Sequence, residues 1–114
     1  MAVRVPNAGR AVIEPAKVRD YLLSSTHPVG RFKARFFLGL GFQADDWGVF
    51  ALALREQHLP QEATLAEMDQ CGRRFVVRAI LQGPAGGALV VSVWFVRTGE
   101  DFARFVTAYP GGTT

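Results

Sequence analysis

An α+β domain is the fold class that this sequence predicts: three N-terminal helices packed on one face of a four-stranded antiparallel β-meander. Three observations lead there. Apolar residues recur at helical spacing through the first half of the chain. The second half changes to runs rich in β-branched and aromatic residues. The breaks between those runs are short Gly- and Pro-containing clusters of the kind that join neighbouring antiparallel strands. At 114 residues, 49% of them hydrophobic, the chain suits one domain. A chain of this size buries roughly two thirds of its unfolded surface and needs no staple. Residues 13–110 are expected to form it, with 1–12 an N-terminal extension and 111–114 a tail.

Glu14-Pro15 opens the first helix, because a first turn tolerates proline, and Val18, Tyr21 and Leu22 follow at helical spacing. The run from Ser24 to Pro28 stops it, since a residue before proline avoids the helical region. A second helix is expected over residues 30–40, with Phe32, Phe36, Phe37 and Leu40 apolar and Gly39 and Gly41 ending it. A third begins near Asp45, a capping residue, carries Trp47, Phe50, Ala51 and Leu54 on one stripe, and closes at Leu59-Pro60. The strands are expected at residues 64–68, 75–81, 89–96 and 102–109. Residues 83–87 (Gly-Pro-Ala-Gly-Gly) join the middle two as a hairpin, and residues 98–101 turn the chain into the last.

Composition narrows the chemistry. The single cysteine, Cys71, excludes an internal disulfide framework and a multi-cysteine zinc ribbon. HExxH, CxxC, Walker and GxSxG motifs are absent, and Gly39-Leu40-Gly41 has neither the third glycine nor the preceding strand of a dinucleotide fingerprint. Asp45-Asp46 reads as helix capping. No metal and no cofactor are therefore expected. No apolar run approaches the roughly 20 residues that span a bilayer, and the first ten residues carry charge without an apolar run behind it. The expectation is a soluble, cytoplasmic domain without a membrane partner.

Charge is distributed unevenly. Residues 1–40 hold seven basic and two acidic side chains, residues 41–70 one and six, and residues 71–114 five and two. If the outer thirds meet in space they form a positive surface for an anionic partner. Eleven of the thirteen cations are arginines, whose planar fork matches phosphate oxygens, although a GC-rich coding sequence would produce the same bias.

Functional residues tend to violate the local pattern. Lys33 falls on the aromatic arc of the second helix with Phe32, Phe36, Phe37 and Leu40, while Arg31 and Arg35 lie on the polar side. Its stem packs there with the ammonium reaching solvent, or the ammonium stands at the rim of a sheet cleft ready for a phosphate. Strict alternation along the last strand puts Ala103, Phe105, Thr107 and Tyr109 on one face, setting two hydroxyls side by side. Arg78 interrupts an apolar strand, and Ser92 and Trp94 share a face. His27 precedes the basic helix in a Thr-His-Pro turn, as an acid–base group or as a turn residue bonded to backbone. His58 ends the third helix, where a cation suits the dipole.

The stretch His27-Pro28-Val29-Gly30-Arg31-Phe32-Lys33-Ala34-Arg35-Phe36-Phe37 and the ending Val106-Thr107-Ala108-Tyr109-Pro110 resemble a family of small bacterial domains without assigned function. The resemblance runs from about Pro6 to Gly111. That family is similar in turn to toxin nucleases of the barnase, EndoU, colicin and RelE fold. The resemblance implies helices first and then an antiparallel sheet that carries the site. It points to His27, Lys33, Thr107 and Tyr109, with a small neutralising antitoxin or immunity protein as partner. One departure is evident: these strands carry no histidine.

The function expected is a metal-independent ribonuclease toxin that cleaves RNA by 2′-hydroxyl attack. His27 or Tyr109 would do the acid–base work, Lys33, Arg31 and Arg78 would hold phosphate, Thr107 would orient, and Trp94 would stack a base or belong to the core. The alternatives are a non-catalytic protein-binding module, docking through the acidic middle segment, and a nucleic-acid binder without chemistry.

Overall fold

A computed structural model describes residues 3–112. Met1 and Ala2 of the expected extension, and Thr113 and Thr114 of the expected tail, lie outside the described residues. One antiparallel sheet orders its strands as they occur in the chain: β1 (Val3–Arg4), β2 (Glu62–Asp69), β3 (Gly72–Gly83), β4 (Gly86–Arg97) and β5 (Arg104–Pro110). Between β1 and β2 lie three short helices, α1 (Pro15–Lys17), α2 (Arg31–Gly39) and α3 (Trp47–Ala53). Wider π turns continue α1 over Val18–Leu22 and α3 over Leu54–His58.

This corrects the expected architecture. The sheet has five strands rather than four, and its first strand precedes every helix. The helices are short, and α1 is a single turn. A two-residue strand has no alternation to read, so β1 is held by tertiary contacts. Val3 and Arg4 pair with Ala63 and Glu62, the Arg4 guanidinium donates to the Pro60 carbonyl, and Val5 is buried.

The helices cover one sheet face. Phe75, Val77 and Leu81 of β3, Trp94 of β4, and Phe105 and Ala108 of β5 meet Leu22, Phe37, Phe50 and Leu54 in one core. Edge-to-face aromatic pairs knit it, with Phe37 and Phe42 each against Phe50 and Trp94 against Phe105 at centroid distances of 4.9–5.2 Å. Helix α2 turns Ala34 and Phe37 inward, while Phe32 is 71% exposed. Phe32 therefore belongs with Arg31 and Arg35 on the solvent side, outside the aromatic arc expected from helical spacing. Gly41, at φ +96°, lets the chain leave α2 against the β3–β4 hairpin, whose Ala85 amide donates to the Leu40 carbonyl at 2.9 Å.

On the opposite sheet face, helix side chains arrive at the β5 edge, where Lys33 of α2 reaches Thr107 and Lys17 of α1 lies beside Arg74 and Phe95. Cross-strand register there gives successive rows of side chains. Arg74, Phe95 and Arg104 form one row across β3, β4 and β5; Val76, Val93 and Thr107 form the next; Arg78, Val91 and Tyr109 the third. A bulge decides this arrangement. Trp94 pairs with Phe105 and Val93 with Thr107, leaving Val106 unopposed. The expected alternation along β5 is corrected accordingly: Phe105 turns into the core with Ala108, while Thr107 and Tyr109 share the open face with Arg104.

Candidate functional site

The site forms where β5 meets α1 and α2. The Lys33 ammonium donates to the Thr107 hydroxyl at 3.1 Å. It stands 5.4 Å from the Tyr21 ring centroid and 6.0 Å from that of Tyr109. Two electron-rich faces and one hydroxyl thus hold the cation in place. The groove beside it, about 500 Å³, is lined by Glu14, Lys17, Tyr21, Lys33, Val106 and Thr107, with Ala16 at its side.

Local sequence explains why α2 delivers Lys33 to this point. Gly30, the residue before α2, lies so close to the preceding helix that a β-carbon on it would sit 2.2 Å from the Tyr21 carbonyl oxygen. The His27 Nδ1 accepts from the Val29 and Gly30 amides at 3.0 and 2.9 Å, tying down the turn that enters the helix. An imidazole whose Nδ1 accepts from two amides carries its proton on Nε2. The same ring meets Tyr21 edge-on at a centroid distance of 4.9 Å. His27 therefore sits behind Tyr21 and positions the pocket wall and the helix, the turn role that the sequence left open.

Lys33, Thr107 and Tyr109 come together, and Arg78 shares their face. It lies in the Tyr109 row two strands away, about 10 Å at a spacing of about 4.8 Å per strand, and donates to the Gly111 carbonyl at 3.2 Å. Arg31 stays apart. Its guanidinium stacks on Phe32 at 4.6 Å, on the solvent side of α2 with Arg35 and Leu38. Trp94 is fully buried on the helix-covered face. Its indole N–H donates to Ser92 Oγ at 2.9 Å, which corrects the base-stacking expectation: this ring is core.

His58 is likewise corrected from a helix-end cation to a buried neutral group. The Ser92 hydroxyl donates to its Nδ1 at 2.7 Å, and its Nε2–H donates to the Ala79 carbonyl at 3.1 Å. That directed chain from Trp94 through Ser92 to the β3 backbone satisfies every member. Burial pushes the His58 pKa below its ordinary value, opposed by the Ala79 hydrogen bond.

Sequence reasoning missed Glu14, Lys17 and Tyr21, which line the groove. Glu14 and Lys17 straddle Pro15 and were legible only as a helix start, while Tyr21 read as an ordinary apolar position. Arg104 is occupied: it pairs with Glu100 at 3.1 and 2.9 Å and approaches Glu14 at 3.9 Å. Those hydrogen bonds hold the Glu100 carboxyl below the usual carboxylate range.

Among the described residues no group of three or more His, Cys, Asp or Glu side chains is arranged to hold a metal ion. No helix among them is long and apolar enough to cross a membrane. No curated protein and no solved structure matches the chain. The family model described as a domain of unknown function, DUF6883, matches residues 4–112, nearly the whole chain, which belongs to that family.

Proposed function

We propose that the groove between β5 and the first two helices binds RNA and cleaves it without a metal. The observation that carries this reading is the Lys33 ammonium, fixed by Thr107 and two tyrosine rings at the wall of a solvent-open groove. A preorganised cation of this kind stabilises charge that develops on phosphoryl oxygens. Glu14 is the carboxylate that lines the same groove. It takes the proton of a ribose 2′-hydroxyl as that oxygen bonds to phosphorus. The phosphorus–5′-oxygen bond breaks, and the Tyr109 hydroxyl supplies a proton to the leaving oxygen. The products are a 2′,3′-cyclic phosphate and a 5′-hydroxyl end. Thr107 orients Lys33, and Arg78 adds positive charge on the same face.

The resemblance to bacterial toxin nucleases supports a toxin role, with a small neutralising protein as partner. Inducible expression of the wild type beside Lys33→Ala, followed by inspection of total RNA, tests it. Growth arrest with cyclic-phosphate ends in the wild type alone is the expected result. Intact RNA with purified, inhibitor-free protein overturns it.

A second reading, a protein-binding module, is favoured by a different observation. Leu52, Leu65 and Met68 are exposed within the acidic middle segment. Exposed apolar side chains supply contact area for a protein partner. A partner interface confined to α3 and β2, with the groove left open and RNA untouched, selects this reading.

A further inference from the structure

Beyond the Val106 bulge the groove continues into a second hollow of about 330 Å³. Glu14, Lys17 and Val106 line both. Arg74, Phe95, Arg97, Arg104 and Phe105 complete the second one, so with Lys17 four cations face one carboxylate. Arg104 is already paired with Glu100 and Glu14. Arg74 differs: its Nε is buried without a hydrogen-bond partner. Glu67 lies directly across from it on β2, yet no ion pair joins them among the described residues. A buried donor without an acceptor is costly, so this guanidinium gains when a shift of its side chain brings Nε to a ligand oxygen. The Arg74 guanidinium lies 5.8 Å from the Phe95 ring centroid, so a cation and an aromatic face are offered side by side.

We infer that Arg74, Phe95, Lys17 and Arg97 form a second nucleotide subsite, taking the phosphate and base next to the one held at Lys33. The Arg74 row lies one outward-facing step along the sheet from the Thr107 row, about 7 Å by strand geometry. That step is the scale on which successive phosphates repeat in an extended single strand. Arg74 and Arg97 hold phosphate oxygens, Lys17 bridges the two hollows, and Phe95 stacks the base, a contact that tolerates any sequence. The register explains why Phe95 serves where its neighbour Trp94 does not: adjacent strand residues point to opposite faces, and only Phe95 faces the open one.

This subsite rests on the polynucleotide reading above, and the test separates the two. A fluorophore-labelled 2′-deoxy oligothymidylate, which lacks the attacking hydroxyl, is titrated into the full chain and followed by anisotropy over a range of salt. Arg74→Gln and Phe95→Leu are each expected to weaken binding about tenfold. Arg74→Gln also flattens the log–log salt slope by about 0.7, the loss of one phosphate contact to a single strand. Arg97→Ala, at an exposed position, repeats the slope change and covers the case in which Arg74→Gln disturbs folding. If Lys33→Ala loses affinity while the Arg74, Phe95 and Arg97 variants bind like wild type, the subsite is overturned and the RNA reading stands. If the wild type binds no oligothymidylate, the subsite falls, and the RNA reading is decided by the cleavage assay above.

Discussion

Lys33 and Thr107, separated by 74 positions in sequence, meet at 3.1 Å, the ammonium donating to the hydroxyl. The contact joins the middle of α2 to the bulged part of β5 and fixes a cation on the open side of the sheet. The proposed activity can be tested apart from stability at this pair, because Lys33 is only half-buried.

Lys33→Ala is expected to reduce RNA cleavage by about 10²–10³, the scale for loss of a preorganised charge stabiliser. Its cost in stability is small, about 1 kcal/mol or less, as for other partly exposed polar contacts. Thr107→Val removes the hydroxyl that aims the ammonium and retains more activity than Lys33→Ala. Single-turnover rates set beside thermal melts check both.

Glu14→Gln is expected to lower the cleavage rate by about 10²–10⁴, the range for a general base. RNA affinity should hold or rise, because a carboxylate leaves a cationic groove. Rate and affinity measured separately distinguish the loss of a base from the loss of a binding contact.

His58 predicts acid sensitivity. Its folded pKa lies below the ordinary value of 6.5 because burial disfavours the charged ring. Between those two values the unfolded chain binds more protons, so stability rises with pH through that window and is fully present above about 6.5. It is lost as the pH falls from 6.5 toward the depressed value. Denaturant midpoints from pH 8 to pH 5 should show that fall, and His58→Gln should flatten it while lowering stability at neutral pH.

Trp94→Phe removes the donor to Ser92 Oγ and part of the packing on Phe105. The expected cost is about 1–3 kcal/mol, with oligonucleotide affinity unchanged in the variant that remains folded. A drop in affinity at equal folded fraction contradicts the core assignment.

Deleting Val106 leaves Phe105 facing the core and Thr107 facing the groove, because the unopposed residue is the one removed. Such a deletion should therefore keep a cooperative melt, whereas deleting Val93 from central β4 should abolish it. Circular dichroism of the two variants makes the comparison.

The long strands, the hairpin turn and the helical first half were legible because each signal is local. Alternation and β-branching mark β3 and β4, and Gly83 to Gly87 mark their turn. Local signal fails where pairing is set by distant partners. Val3–Arg4 is too short to show a period, so β1 exists only because β2 offers an edge. Phe32 matches the inward arc by spacing, yet Ala34 and Phe37 already fill the space under α2. The site was partly legible for the same reason. Lys33, Thr107 and Tyr109 break or decorate a local pattern, whereas Arg74 and Phe95 look like ordinary strand residues until register places them in one row.

Composition and periodicity, then, determined an α+β chain with basic outer thirds and unusual side chains at Lys33, Thr107 and Tyr109. The tertiary structure decided which of them meet. One unopposed residue at Val106 reverses the faces of β5 on its two sides, and a glycine pressed on the Tyr21 carbonyl sets the approach of α2. Both are long-range steric facts, and strand register and helix docking follow from them rather than from any window of neighbouring residues.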